Sequence, residues 1–126
     1  MNISKIDLEI AACNGDKKKL IEIEKKINSR ISSIKLLFLS KEKKSEIYYL
    51  LSTIYKETGE YEKFIKILKK SYNLNKKSKF LLLSLISAYY LYSNDKKFCS
   101  HLIKLYKLEF LKNNFEYKGN SAKEVK

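Results

Sequence analysis

Residues 48–64 read Tyr48-Tyr49-Leu50-Leu51-Ser52-Thr53-Ile54-Tyr55-Lys56-Glu57-Thr58-Gly59-Glu60-Tyr61-Glu62-Lys63-Phe64. Within and just before this stretch, Ile47, Tyr48, Leu51, Ile54 and Tyr55 recur at three- and four-residue steps, which places them on one stripe of an amphipathic helix. Gly59 then supplies a break. From Glu60 a second helix is predicted, with Phe64, Ile67, Leu68 and Tyr72 as its facing stripe and Glu62, Lys63, Lys66, Lys69 and Lys70 in water. Two amphipathic helices joined by so short a turn pack antiparallel as a helical hairpin, here spanning about Ser45 to Leu74.

Sliding the chain by 34 residues aligns Leu51 with Leu85, Tyr55 with Tyr89, Phe64 with Phe98, Leu68 with Leu102, Tyr72 with Tyr106 and Leu74 with Leu108, all of them identities. The hairpin is therefore predicted to recur. In the second copy Ser78 is the expected N-cap and Phe80 to Tyr92 the first helix. Ser93-Asn94-Asp95 makes the break, with Asn94 or Asp95 capping the next helix through a side-chain oxygen. That last helix is expected to carry Phe98, Leu102, Leu105, Tyr106 and Leu108 inward.

The period and the order of aromatic, leucine, tyrosine, glycine and second tyrosine in residues 48–64 resemble a tetratricopeptide repeat. The first unit departs from that pattern at Phe64 and Ser52, and no proline closes it at Lys76. The second has Ser93 where glycine is usual and Asp95 where an aromatic is usual. The resemblance covers about half the chain. It implies an all-α fold of about five to six helices, arranged as a right-handed superhelical array of antiparallel hairpins whose first helices line a concave face.

Before the repeats, Ser4 to Cys13 reads as a helix and Asn14-Gly15-Asp16 as a turn. Leu20, Ile23, Ile27, Ile31, Ile34 and Phe38 then continue an apolar stripe, either as one helix or as two broken near Asn28-Ser29. Ala11, Gly15, Leu20 and Ile27 hint at a degenerate third hairpin, out of register with the others. The expected organisation is one helical domain over residues 1–112, with N-terminal helices over 1–44, a first unit over 45–77 and a second over 78–112. Residues 113–126, polar through Lys118, Gly119, Asn120 and Ser121, are expected to form a flexible tail.

The formal charge of +13 raises nucleic acid or an acidic surface as a partner. Yet Arg30 is the only arginine, and arginine is the side chain that grips phosphate through a planar fork. A chain so rich in Lys, Ile, Asn and Tyr fits A/T-biased codons, so the lysine excess is read first as a solvated surface. Asp7 and Glu9 stand where a secretory leader needs an apolar core. Ile10-Ala11-Ala12-Cys13 imitates a lipoprotein cleavage box but lacks that apolar run. Phe80 to Tyr92 is too short for a membrane span. Cys13 and Cys99 have no partner spacing for metal or disulfide. A cytoplasmic protein with no membrane span and no cofactor is the expectation.

Catalytic chemistry finds few candidates. His101 is the only histidine, and with Cys99 two positions away it points in a different direction on a helix. No glycine-rich phosphate loop is present. The expectation is a non-enzymatic module that binds another protein, adaptor or chaperone-like, through a peptide or helix with apolar anchors. In the repeats that this chain resembles, the groove lies on the side of each first helix away from the hairpin stripe, which here implies Tyr49, Thr53, Lys56, Phe80, Leu83, Ser87, Tyr90 and Leu91. A second interface is assigned to Ile103, Phe110 and Leu111, to be covered by a homodimer partner or by Phe115 and Tyr117 folding back. The alternatives are nucleic-acid binding through Lys66, Lys69, Lys70, Lys76 and Lys77, and a structural subunit of a larger assembly.

Overall fold

The computed structural model describes residues 3–32 and 37–111. Among them lie six α-helices and no strand: α1 (Ile3–Ala12), α2 (Lys17–Ile31), α3 (Lys41–Glu57), α4 (Tyr61–Leu74), α5 (Lys79–Tyr92) and α6 (Lys96–Tyr106). A π-helical turn, Lys107–Leu111, extends the last of these. Four helices start on a side chain that accepts from an otherwise orphaned backbone N–H. Asp16 accepts from Lys18 and Lys19, Ser40 from Lys43, Ser78 from Leu81 and Asp95 from Phe98. Of the two caps considered for α6, Asp95 is the one used.

Gly59 ends α3 in a left-handed conformation with φ 79°. Its N–H donates to the Lys56 carbonyl, while the N–H of Glu60 reaches back to the Tyr55 carbonyl. This paired reversal satisfies the last carbonyls of the helix and turns the chain into α4 without a side-chain cap at Glu60.

Two apolar cores result. In the first, Ile6 and Ile10 of α1, Cys13 of the turn after it and Leu20, Ile23 and Ile27 of α2 pack on Ile47, Leu50, Leu51 and Ile54 of α3. The second joins Phe64, Leu68 and Tyr72 of α4 to Leu81, Leu82, Leu85 and Ala88 of α5 and Leu102 of α6. Tyr55 packs against both. The stripe residues expected of the first hairpin are buried or half-buried, and Glu62, Lys63, Lys66, Lys69 and Lys70 are exposed. The two stripes do not chiefly face each other, however. Ile47, Leu51 and Ile54 pack on α1 and α2, and Phe64, Leu68 and Tyr72 on α5 and α6, because each helix is covered by a neighbour from outside the hairpin.

Several expectations change in detail. α3 begins at Lys41, four residues before Ser45, because Ser40 caps it. α2 runs unbroken through Asn28 and Ser29 and ends at Ile31. The stripe does not reach Phe38, which is 84% exposed, since the helix that would carry it inward has already stopped. Leu108 is 60% exposed rather than inward. The π-turn widens the helix by one residue per turn and rotates the following side chains, so Phe110 packs on the second core and sits 5.6 Å from the Tyr106 ring. Ile34, Phe115, Tyr117 and the expected tail, residues 113–126, lie outside the described residues.

Candidate functional site

Helices α3 and α5 are the first members of their hairpins, and their outward faces form the two walls of a cleft with a volume of about 350 Å³. Tyr49, Thr53, Lys56 and Glu57 come from α3. Phe64 and Leu68 of α4 form the floor, and Phe80, Leu83, Ser84, Ser87, Ala88, Leu91 and Tyr92 complete it from α5. Seven of the eight residues assigned to the groove from the sequence line this cleft. They share it because, on each first helix, the positions opposite the hairpin stripe point to the same side.

Tyr90 is the exception. It is 77% exposed and does not line the cleft. At about 100° per residue it lies some 80° round the helix from Phe80, which carries its ring past the rim. The lining residues outside the sequence assignment are the α4 floor, Phe64 and Leu68, together with Glu57, Ser84, Ala88 and Tyr92. Tyr92 is held by the start of α4, where Tyr61 stacks on it at 4.1 Å with an interplanar angle of 8° and Phe64 meets it edge-on at 5.9 Å. No helical period within one unit announces a contact between units.

The cleft walls are chemically unequal. On α5, Phe80 is 59% exposed, Leu83 41% and Leu91 63%, and Lys79 is its only charged residue. The Lys79 ammonium lies over the Tyr106 ring, 5.9 Å from its centroid. The α3 wall carries the charged groups of the lining, Lys56 and Glu57. Thr53 donates to the Tyr49 carbonyl at 3.1 Å, and the Lys56 ammonium stands 6.0 Å from the centroid of the Phe64 ring at the cleft floor. Burial raises the Tyr49 phenol above its ordinary value, Thr53 offsets part of that, and the Asp7 carboxylate of α1 adds to it.

The other assigned residues fall apart from this cleft. Ile103 and Leu111 are exposed, while Phe110, assigned with them to a second interface, is half-buried on the core. Among the lysines considered for nucleic acid, Lys69 and Lys70 place their ammonium groups over rings of this chain, Phe98 at 4.5 Å and Tyr48 at 4.6 Å. Cys99 is buried with its thiol 3.9 Å from the Ile86 carbonyl, whereas His101 is exposed beside Lys97, Ser100 and Lys104. Among the described residues no cluster of His, Cys, Asp and Glu could hold a metal ion, and no helix is long and apolar enough to cross a membrane.

No protein-family model, curated protein or solved structure matches this chain.

Proposed function

We propose that this chain is a protein-binding module, adaptor or chaperone-like and without an enzymatic centre of its own, whose α3/α5 cleft receives a segment of a partner protein in the cytoplasm. The observation that carries the reading is a cleft lined by Phe80, Leu83 and Leu91, large apolar side chains that none of the described helices covers. Apolar surface gathered into a concavity and left in water marks a place where another molecule removes it from water.

The reading includes a tetratricopeptide-like stacking of the hairpins. It is supported by three of the six pairs repeated at 34: Leu51 and Leu85 are both buried, as are Leu68 and Leu102, and Tyr55 and Tyr89 are both half-buried, while Phe98, Tyr106 and Leu108 are more exposed than Phe64, Tyr72 and Leu74 respectively. Equivalent residues in equivalent burial are what a structural repeat requires.

The test is capture of partners by the full chain and by two cleft variants, Tyr49→Ala and Leu91→Asp, with helix content monitored by circular dichroism. Loss of the same partners from both, with helicity kept, is the expected result. Retention of the full partner set by both would remove the proposal. A steep loss of bound nucleic acid with salt, unaffected by either substitution, would instead favour the lysine surface.

A further inference from the structure

The groove between α3 and α5 is divided. The rings of Tyr49 and Phe80 meet edge-on across it, with centroids 5.3 Å apart and an interplanar angle of 65°. Both rings line the cleft of about 350 Å³ on one side. Both also line a second, of about 270 Å³, on the other, where Ser45 and Glu46 of α3 face Asn75, Ser78 and Leu81. The pair therefore forms a bar between two compartments of one groove.

From this, and resting on the reading of the groove as a protein-binding site, the geometry points to an amphipathic partner helix, acidic on its outer face, that sets two large apolar side chains seven residues apart into the compartments on either side of the Tyr49–Phe80 bar.

The spacing follows from the walls. Along α3 the smaller compartment is centred near Ile47 and the larger near Thr53; on the α5 side the smaller lies at the start of the helix, between Ser78 and the Phe80 bar, and the larger is centred near Ile86. Six to seven helical residues at 1.5 Å each separate the centres by about 10 Å. On an α-helix lying in the groove, side chains seven apart project on one face about 10.5 Å from each other, while a four-residue spacing covers only about 6 Å.

The helical form follows from the hydrogen-bonding inventory. Both walls are α-helices whose backbone groups are engaged within themselves, so no strand edge exists for an extended peptide to join. The Thr53 hydroxyl already donates to the Tyr49 carbonyl, which leaves the hydroxyls of Ser84, Ser87, Tyr49 and Tyr92 on the residues lining the larger compartment, too few to pair the amides of an extended segment. An extended segment would leave most of its amides without partners there, whereas a helix satisfies its own backbone and presents only side chains.

The charge of the outer face follows from the surroundings. Within the groove Lys56 is offset by Glu57, and Glu46 lies 3.9 Å from Lys43, so the contact surface itself asks for apolar groups. The protein around it carries a net +13, a field that draws in an acidic partner and speeds its encounter.

Three helix-stapled synthetic peptides test this against the full chain by fluorescence anisotropy. One is glutamate-rich on its outer face with leucines at positions i and i+7, one has the same composition with the leucines at i and i+4, and one keeps the first spacing but replaces glutamate by lysine. The first is expected to bind at least about tenfold more tightly than the second, since one anchor of the mis-spaced peptide stays in water, and more tightly than the third. The substitution F80A, which joins the compartments, should reduce the spacing preference to within about twofold, a leucine pair being worth far more when both members are seated. Tyr90→Ala should leave it unchanged. Equal binding of the two spacings would overturn the proposal, as would displacement of the first peptide by a mixed-sequence oligonucleotide at physiological salt. If the spacing preference is missing while partner capture still depends on Leu91, the two-anchor inference alone has failed; if capture is independent of Leu91 as well, the protein-binding reading falls with it.

Discussion

The hydroxyls of Ser45 and Ser71 each donate to the other residue's backbone carbonyl at 2.7 Å, with the two hydroxyl oxygens 3.0 Å apart. Both side chains are fully buried. The exchange brings α3 and α4 together where neither has room for a larger side chain, and it satisfies two polar groups that burial would otherwise penalise. Ser71→Ala removes one donor but keeps the close approach, since the carbonyl of Ser45 retains its place in the helical ladder. We expect it to cost about 1 kcal/mol in urea denaturation. Ser71→Leu forces the helices apart and should cost about 3 kcal/mol. Equal effects from the two substitutions would show that packing at this point is slack.

Tyr55 ties the two cores together, and its phenol donates to the Glu24 carboxylate at 3.2 Å. Its pKa is raised above 10.0 by burial first, and then by the charge and hydrogen bond of Glu24 and the charge of Glu60. Tyr72 and Tyr89 are raised as well, again chiefly by burial. A phenol that holds its proton more tightly in the folded chain contributes stability that is fully present below the unfolded pKa and is lost as pH climbs through the folded one. Stability should therefore fall above about pH 10. Lysine deprotonation over the same range relieves repulsion and acts the other way, so the comparison that isolates the effect is between the parent and Tyr55→Phe. From pH 9 to pH 11 the urea midpoint of the variant should drop less than that of the parent. Parallel curves would exclude a role for the Tyr55 proton.

Gly59 has a positive φ and open space where a β-carbon would stand. Substitution there meets no clash, so the cost is conformational alone. Gly59→Ala should destabilise by about 1 kcal/mol, and Gly59→Asn by less, because asparagine tolerates the left-handed region better. Thermal melts of the pair give the order. An alanine variant as stable as the parent would mean that the turn between α3 and α4 has relaxed into another conformation.

What could be read in the sequence depended on whether the period of a single helix decides it. That Ile47, Leu51, Phe64 and Leu68 are buried is legible because one helical period puts them on the apolar stripe of their helices. What they face is not, since Ile47 and Leu51 pack with α1 and α2 while Phe64 and Leu68 pack with α5 and α6. The groove residues of α3 and α5 are legible only through the resemblance to a repeat whose groove lies opposite the hairpin stripe, since subtraction of the stripe alone would have included Leu50. Leu50 is almost fully buried, yet it belongs to no hairpin stripe. It packs in the core that α1 and α2 share with α3, a contact that local periodicity does not encode. Leu108 failed because a single π-turn shifts the register of everything after it, and nothing in Lys107–Leu111 marks that turn. The division of the groove was invisible too: Tyr49 and Phe80 are far apart in sequence, and only the placement of one hairpin on the next brings their rings together.

Tyr92 combines a structural and a functional task, and the two can be separated. Its ring is stacked by Tyr61 and met edge-on by Phe64 at the junction of the hairpins, and it also closes one end of the larger compartment. Tyr92→Ala removes both ring contacts and the area they bury, for an expected loss of about 2 kcal/mol from a half-buried aromatic. Tyr92→Phe keeps the ring and should stay within about 0.5 kcal/mol of the parent. Binding of the correctly spaced peptide at a temperature well below both melting transitions then reports on the compartment alone. With phenylalanine the compartment keeps its end wall and affinity should be unchanged. With alanine the wall is gone while the chain is still folded, so affinity should fall several-fold, less than for Leu91→Asp, which places a charge inside the apolar cleft. An alanine variant that loses stability but binds as the parent does would confine Tyr92 to the junction and shorten the compartment's boundary to Leu91.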